Sequence, residues 1–468
     1  MTRPALITGS WRELLGPKYL GTSVVLAGGV ALYATNEFLT ISLLPNTVAE
    51  IGGSRLYAWV TTLYLVGSVV AATMVNPMLV RVGARPSYLM GLALFGASSL
   101  ACGAAPNMVI LIAARALQGM AGGLLAGLGY AVINAALPRS LWTRASALVS
   151  AMWGVATLVG PAMGGLFAQF GLWRWAFVAM AILTVLMAAL VPFVLAAGRV
   201  DSNAATSTKV PVWSLVLIGA AALAVSVAQI PHNITATAGL LAVGVLLIGL
   251  FVLVDWRTRA AVLPPSVFGP GPLKWIYLAM GALMIGAMVD TYVPLFGQRL
   301  AHLSPVAAGF LGAALAVGWT VSEIVSASLE KSRTIGRVIA VAPLVVASGL
   351  ALGAVTQRDN ASVGIVALWT LALLVAGVGI GMAWPHLSVR AMDSVSDPAE
   401  GVAAAAAINT VQLISGAFGA GLAGVVVNTA GGGDVVAARW LFTVFTALTA
   451  GGVFASYRAS YGAVRSKR

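Results

Sequence analysis

Residues 154–165 read "GVATLVGPAMGG". Glycine and proline weaken helices in water, yet here they punctuate an apolar run that extends over residues 144–168. In lipid the same residues have a use. Gly154, Gly160, Gly164 and Gly165 strip side chains from a packing face, so a neighbouring helix can come close. Pro161 removes one backbone hydrogen bond and bends the run. The stretch reads as the contact face of a membrane-spanning helix.

The rest of the chain agrees. Of its 468 residues 60% are hydrophobic and 8% charged, whereas a soluble domain carries roughly a quarter charged residues. A water-soluble globule is excluded, and the fold class is an all-α polytopic membrane protein. The net charge of +13 does not point to nucleic acid, because the basic residues stand singly or in small groups between apolar runs. Cys102 is the single cysteine, so neither an intrachain disulfide nor a cysteine metal cluster can form. His232, His302 and His386 are scattered, with no two at ligand spacing, and no phosphate-cradling loop is present. No metal, no cofactor and no ATP-driven pumping are therefore expected. Residues 1–19 are polar and basic, and the apolar run after them is too long for a signal-peptide core; it reads as an uncleaved first span.

A helix needs about 20 apolar residues to cross roughly 30 Å of hydrocarbon. Six runs meet this at 20–45, 57–80, 87–105, 107–137, 144–168 and 174–197. The polar stretch "RVDSNAATSTKV" follows, then two shorter runs at 213–230 and 237–255 joined by "IPHN". Six more lie at 273–297, 305–328, 337–355, 361–386, 401–427 and 437–457. The expected layout is fourteen spans, six, two and six. It divides into an N-terminal segment (1–19), a first six-helix bundle (20–198), a linker with two extra central helices (199–272), a second bundle (273–457) and a tail (458–468). With the N-terminus inside, twenty of the 26 Lys and Arg fall on the inner side. Arg55, Arg174, Arg299, Arg358 and Arg439 fall outside, and Arg115 lies within a span. That asymmetry puts both termini in the cytoplasm and makes the lipid bilayer the main partner.

Span 4 carries "RALQGMAGG" over residues 115–123, with Arg115 and Gln118 on one helical face. "RALQG" followed by "GVATLVGPAMGG" resembles the major facilitator superfamily, in particular its proton-coupled drug antiporters, whose span 5 carries a GxxxGPxxGG signature. "WRWAF" at 173–177 and "DWRTRAAVLPPSVF" at 255–268 resemble the fourteen-span branch. The resemblance is strong over residues 20–200 and rests mostly on layout beyond. It implies two six-helix bundles, a central cavity and alternating access. The family's loop between spans 2 and 3 reads approximately GxLADRxGRR; here it is "NPMLVRVGAR". Arg81, Gly83 and Arg85 fit, but Asn76 and Val80 replace the glycine and the aspartate, which removes the acid that the family is thought to use as a latch.

Charge inside the spans costs about 2.5–3.5 kcal/mol per residue on insertion scales, so each instance needs a reason. Within "LYATNEFLTISLLP" (32–45), Glu37 stands among Tyr33, Asn36 and Thr40 and is expected to face the bundle interior. It lies roughly 12 Å below the outer end of its span at about 1.5 Å per residue, a depth similar to that of Arg115. The two are therefore expected to be paired or close. Asp290 in span 7 also lies in the outer half, and Glu323 lies near the inner end of span 8. Glu37, Asp290, Arg115 and Glu323 are the candidates for proton coupling. Tyr33, Asn36, Gln118, Asn134, Asn409 and Gln412 are candidates for the cavity wall. These features point to a monomeric secondary transporter that exports small amphipathic or cationic compounds in exchange for protons. The alternative is export of a lipid or native metabolite by the same machinery. An enzyme would need a nucleophile, base or metal constellation, and a receptor a larger extramembrane domain; neither is in the sequence.

Overall fold

A computed structural model describes residues 10–195, 211–231, 233–258, 261–395 and 398–465. Long helices make up nearly all of it, and no strand occurs among the described residues. The first bundle contains α1 (Leu20–Ile51), α2 (Trp59–Ala72), α3 (Ala84–Gly103), α4 (Met108–Ala131), α5 (Trp142–Gln169) and α6 (Trp173–Val194). A hairpin of α7 (Val212–Val227) and α8 (Ile234–Arg257) follows. The second bundle contains α9 (Leu273–Ala287), α10 (Val293–Ala301), α11 (Pro305–Ser326), α12 (Ser332–Thr356), α13 (Val363–Asp393), α14 (Pro398–Thr429), α15 (Asp434–Gly451) and α16 (Val453–Arg465).

Among the described residues twelve helical segments are long and apolar enough to cross a bilayer, α9–α10 and α15–α16 each counting as one. Two of the fourteen expected spans are not among them. The α7 helix has 16 residues, about 24 Å at 1.5 Å per residue, short of a hydrocarbon core of roughly 30 Å. The α3 helix has 20 residues but spends several on Arg85, Ser87, Tyr88, Ser98 and Ser99. Span 7 also departs from the continuous run expected at 273–297. A 3₁₀ turn over Met288–Tyr292 separates α9 from α10. Pro294 is the cause: it has no N–H to give the carbonyl of Asp290 four residues back. The Val293 N–H closes on that carbonyl instead, which tightens the turn.

The glycine motif on α5 has two faces with different neighbours. A Cβ at Gly160 would lie 2.6 Å from Cβ of Phe38, and one at Gly164 would run into the Leu39 carbonyl; both neighbours are on α1. A Cβ at Gly165 would lie 2.5 Å from Cα of Val306 on α11, in the other bundle, and one at Gly154 would touch Thr320 at 3.4 Å. The motif thus builds one bundle and joins it to the next. The two bundles also share a packing scheme. Gly119 and Gly123 of α4 sit against the backbone of Tyr64 and Ser68 on α2. Gly377 and Gly381 of α13 sit likewise against Leu315 and Trp319 on α11. The bundles meet along two seams, α5 with α11 and α2 with α14. The α7 helix lies over the second seam, where Leu215, Ile218 and Ala222 face Val66 and Val69 of α2 and Ile414 of α14.

Between α2 and α3 the short helix Val75–Val82 ends at Gly83, whose φ of +86° favours glycine. Its N–H caps the Leu79 carbonyl, leaving Arg81 exposed and Arg85 half-buried. "WRWAF" is explained at the start of α6. Arg174 forms an ion pair with Glu50 at the end of α1, and Trp173 Nε1 donates to the same carboxylate at 2.7 Å.

Candidate functional site

Helix α1 enters the interior with Asn36 and Glu37 one residue apart, which turns them about 100° from each other around the axis. That angle decides what each touches. Arg115, 1% exposed on α4, donates to Oδ1 of Asn36 and to Oε1 of Gln118, the latter at 2.6 Å. Its guanidinium lies over the Tyr64 ring, 3.9 Å from the centroid. Gln118 passes the network on by donating to Ser99 Oγ at 2.7 Å, and Cys102 donates its thiol to Gln118 Oε1 at 3.6 Å. The Tyr64 hydroxyl donates to the Tyr33 carbonyl at 2.9 Å, and the two rings stack at 5.4 Å. Trp153 of α5 stands edge-on to Tyr33 at 5.6 Å.

The expected pairing of Glu37 with Arg115 is therefore corrected. Depth placed both side chains at one level, but azimuth gives the arginine to Asn36. Among the described residues ion pairs occur between Arg174 and Glu50 and between Arg299 and Asp434, all four at helix ends. Glu37 is half-buried and has no hydrogen bond or ion pair among the described residues, although Arg115 and Asp290 are both within electrostatic reach. Asp290, in the 3₁₀ turn of the second bundle, is 9% exposed, and its Oδ1 has no hydrogen-bond partner among the described residues. Around these groups Tyr33 Oη, Asn36 Nδ2, Thr291 Oγ1 and Tyr292 Oη are also buried without partners. These polar atoms gather in one region of the interior, between the Arg115 network and the 3₁₀ turn.

On the face opposite the two termini the bundles are closed against each other. Tyr57, just before α2, stacks on Tyr292 at 4.7 Å, and Tyr292 stacks on Phe296 at 6.0 Å. Asn428 at the end of α14 donates to the Arg55 carbonyl at 2.8 Å, and Gln298 reaches Asn46 at 3.4 Å. The turn of the α7–α8 hairpin joins this closure: Arg55 donates to the Ile230 carbonyl at 3.0 Å, and Asn428 approaches Gln229 Oε1 at 3.4 Å.

The remaining candidates separate. Glu323 lies one turn from the end of α11 and accepts from Trp319 Nε1 at 2.9 Å, well away from the Arg115 network. Gln412 is half-buried and Asn409 exposed on α14. They share a face with Gly416, whose Cβ position would meet Leu65 of α2 and Met284 of α9, so that face looks between the bundles. The side chain of Asn134 lies outside the described residues. Sequence reading missed Trp319 and Trp384, whose rings approach to 5.2 Å, and missed Ser99 and Tyr64. The spacing of Trp319 four residues before Glu323 was the available signal.

Comparison with known proteins agrees with this architecture. A family model described as Major Facilitator Superfamily matches residues 26–420. A Mycobacterium tuberculosis H37Rv protein named "Probable multidrug-efflux transporter" is 74% identical over 465 residues, covering 98% of each chain. A puromycin resistance protein of Streptomyces alboniger is 29% identical over 417 residues, covering 86% of this chain and 81% of its own. Among solved structures a D-xylose–proton symporter superposes with a TM-score of 0.68 at 14% identity, covering 95% of this chain and 98% of its own. A bacterial homologue of the lysosomal transporter Spinster, inward-facing and unoccupied, gives 0.68 at 13% identity and covers 98% and 99%. At these identities the structures report fold alone.

Proposed function

This chain belongs to the major facilitator superfamily, and we propose that it exports lipophilic, cationic or amphipathic compounds in exchange for protons. It is a multi-pass membrane transporter and not an enzyme. One observation carries the exchange reading: Asp290 and Glu37 stand near each other, deep in the bundles, with no counter-ion in contact. A carboxylate in such surroundings is neutralised by one of two things, a proton or a cationic cargo. Competition between the two is the simplest form of antiport. The name borne by the relative at 74% identity supports drugs as the cargo.

In the proposed cycle the termini lie in the cytoplasm, so the face closed by Tyr57 and Tyr292 is the outer one. Cargo binds from the cytoplasm while the carboxylates are free. The bundles rock about the seam at Gly154, and the Gly165–Val306 contact and the Tyr57–Tyr292 stack separate. Protons from outside then displace the cargo, and the neutral site permits closure and return. Arg115 stays bound to Asn36 and Gln118 throughout and sets the local field. Residues 20–198 and 273–457 would be the moving bundles, with α3 and α7 crossing as well to give fourteen spans, and the protein would act as a monomer.

The test is efflux from proteoliposomes under an imposed pH gradient. Export of a lipophilic cation should accelerate when the acceptor side is acidic and should collapse with a protonophore. Movement of drug or lipid that ignores the gradient would remove the antiport reading.

A further inference from the structure

The chemistry around Glu323 is not used by the exchange site described above. On α11 the neighbours of each side chain fix where it points. Val321, Ile324 and Val325 are 57%, 69% and 65% exposed and mark the outside of the bundle. The α13 helix packs along Leu315, Gly318 and Ser322, and α5 packs at Thr320. Trp319 and Glu323, one turn apart, take the direction that is left, which lies between the bundles. Trp384 of α13 meets Trp319 there at 5.2 Å, its ring tilted by 55°. The Trp319 indole N–H fixes one oxygen of Glu323 at 2.9 Å and leaves the other without a donor among the described residues. Neither Lys nor Arg forms an ion pair with Glu323 among the described residues. The nearby His386 is occupied on another side, with Nε2 at 2.9 Å from Ser326 Oγ and 3.1 Å from the Ser326 carbonyl.

A half-buried indole backed by a buried one, beside a carboxylate without a counter-ion, suits an organic monocation of spread charge. We propose that Trp319, Trp384 and Glu323 form a cation-receiving subsite between the bundles on the side of the termini, where cargo is held before it reaches Asp290. The inference rests on the export reading and adds a place and a chemistry to it. Across the seam the aromatic surface continues. Trp153 immediately precedes Gly154, the residue that meets Thr320, and Trp153 in turn contacts Tyr33. A flat cation leaving the subsite would slide along aromatic faces toward Glu37. Organic monocations reach a membrane protein as freely diffusing drugs or as choline headgroups of lipids, and the subsite chemistry is common to both.

The experiment is equilibrium binding of radiolabelled tetraphenylphosphonium to the full-length protein in nanodiscs, with a choline-headed lysolipid as competitor. Glu323→Gln should weaken tetraphenylphosphonium binding about tenfold, and more than it weakens binding of neutral triphenylphosphine oxide. Trp384→Leu should weaken it about fivefold, and Trp384→Phe should restore most of the loss because a π face returns. Competition by the lysolipid that disappears in Glu323→Gln would assign the subsite to headgroups as well as drugs. Tetraphenylphosphonium binding that is the same in wild type, Glu323→Gln and Trp384→Leu would overturn the proposal, as would a wild type that does not bind tetraphenylphosphonium. Gradient-driven efflux is measured in parallel. Efflux with no change in binding among the variants would sink the subsite and leave the export reading intact. Binding that depends on Glu323 without gradient-driven efflux would do the reverse.

Discussion

Among the described residues two aspartates are buried within the helices of this transporter, and their surroundings are opposite. Asp255, near the end of α8 and 1% exposed, accepts from Ser214 Oγ at 2.7 Å and from the backbone N–H groups of Val262 and Leu263 at 2.8 and 2.9 Å. It ties the α7–α8 hairpin to the chain that leads into the second bundle. Asp290, 9% exposed, sits at a break between helices and has an oxygen with no partner. Burial alone does not distinguish scaffold from machinery. Satisfaction does: a carboxylate with a full set of donors is held in one state, and one without them must wait for a proton or a ligand.

The sharpest test of that contrast is Asp290→Asn. Efflux should fall to the rate seen without a pH gradient, while thermal stability in detergent stays within about 1 kcal/mol because few bonds are lost. A variant that still follows the gradient would move the coupling elsewhere, to Glu37 first. Asp255→Ala should do the opposite. Three donors lose their acceptor, so stability should drop by on the order of 3 kcal/mol, with the gradient dependence of the folded fraction retained. Melting curves and efflux per folded molecule separate the two outcomes, and equal stability losses at both sites would erase the distinction.

The seam offers a gentler comparison. Gly160 and Gly165 are both too close to a neighbour for a Cβ, but Gly160 faces its own bundle and Gly165 faces the other. Alanine at either should cost about 1–3 kcal/mol of overpacking. At Gly160 the cost falls on folding and shows in the melting temperature. At Gly165 it falls on the closed state of the outer face, so an introduced cysteine near Tyr57 should become more reactive to an impermeant reagent. Unchanged labelling would show that the Gly165 contact persists through the cycle. The smallest effect belongs to Asn428→Ala, which removes the 2.8 Å bond to the Arg55 carbonyl. A net hydrogen bond is worth about 1 kcal/mol, a shift of about fivefold toward outward opening in the same labelling assay.

Much of the fold was legible because lipid imposes a simple rule on length and apolarity. Twelve of the expected segments meet it in the structure, and the α5 motif meets its neighbours as closely as its glycines imply. The site was less legible, for reasons that particular residues show. Depth along a helix can be counted, but Asn36 and Glu37 differ by azimuth, and a one-dimensional count assigned Arg115 to the wrong one. Pro294 announced a break in span 7, yet the apolar run on both sides read as continuous. Trp319 and Trp384 were not singled out because an aromatic in an apolar run carries no mark of the side chain it will meet. Gly377 and Gly381 repeat the spacing of Gly119 and Gly123, a correspondence between the halves that becomes visible once both pairs are seen against backbone.

The position of α7 makes the two flanks of the molecule unequal toward the bilayer. Of the two seams, the one between α2 and α14 lies under a third helix, whose Leu215, Ile218 and Ala222 fill the groove. The other, between α5 and α11, has Val155, Leu158 and Phe310 exposed on its flanks and meets hydrocarbon directly. The molecule is laterally lopsided: one flank is covered by a third helix and the other is bare. Molecules dissolved in the bilayer can therefore touch the joint between the bundles on the α5–α11 side, while on the α2–α14 side they meet α7 first.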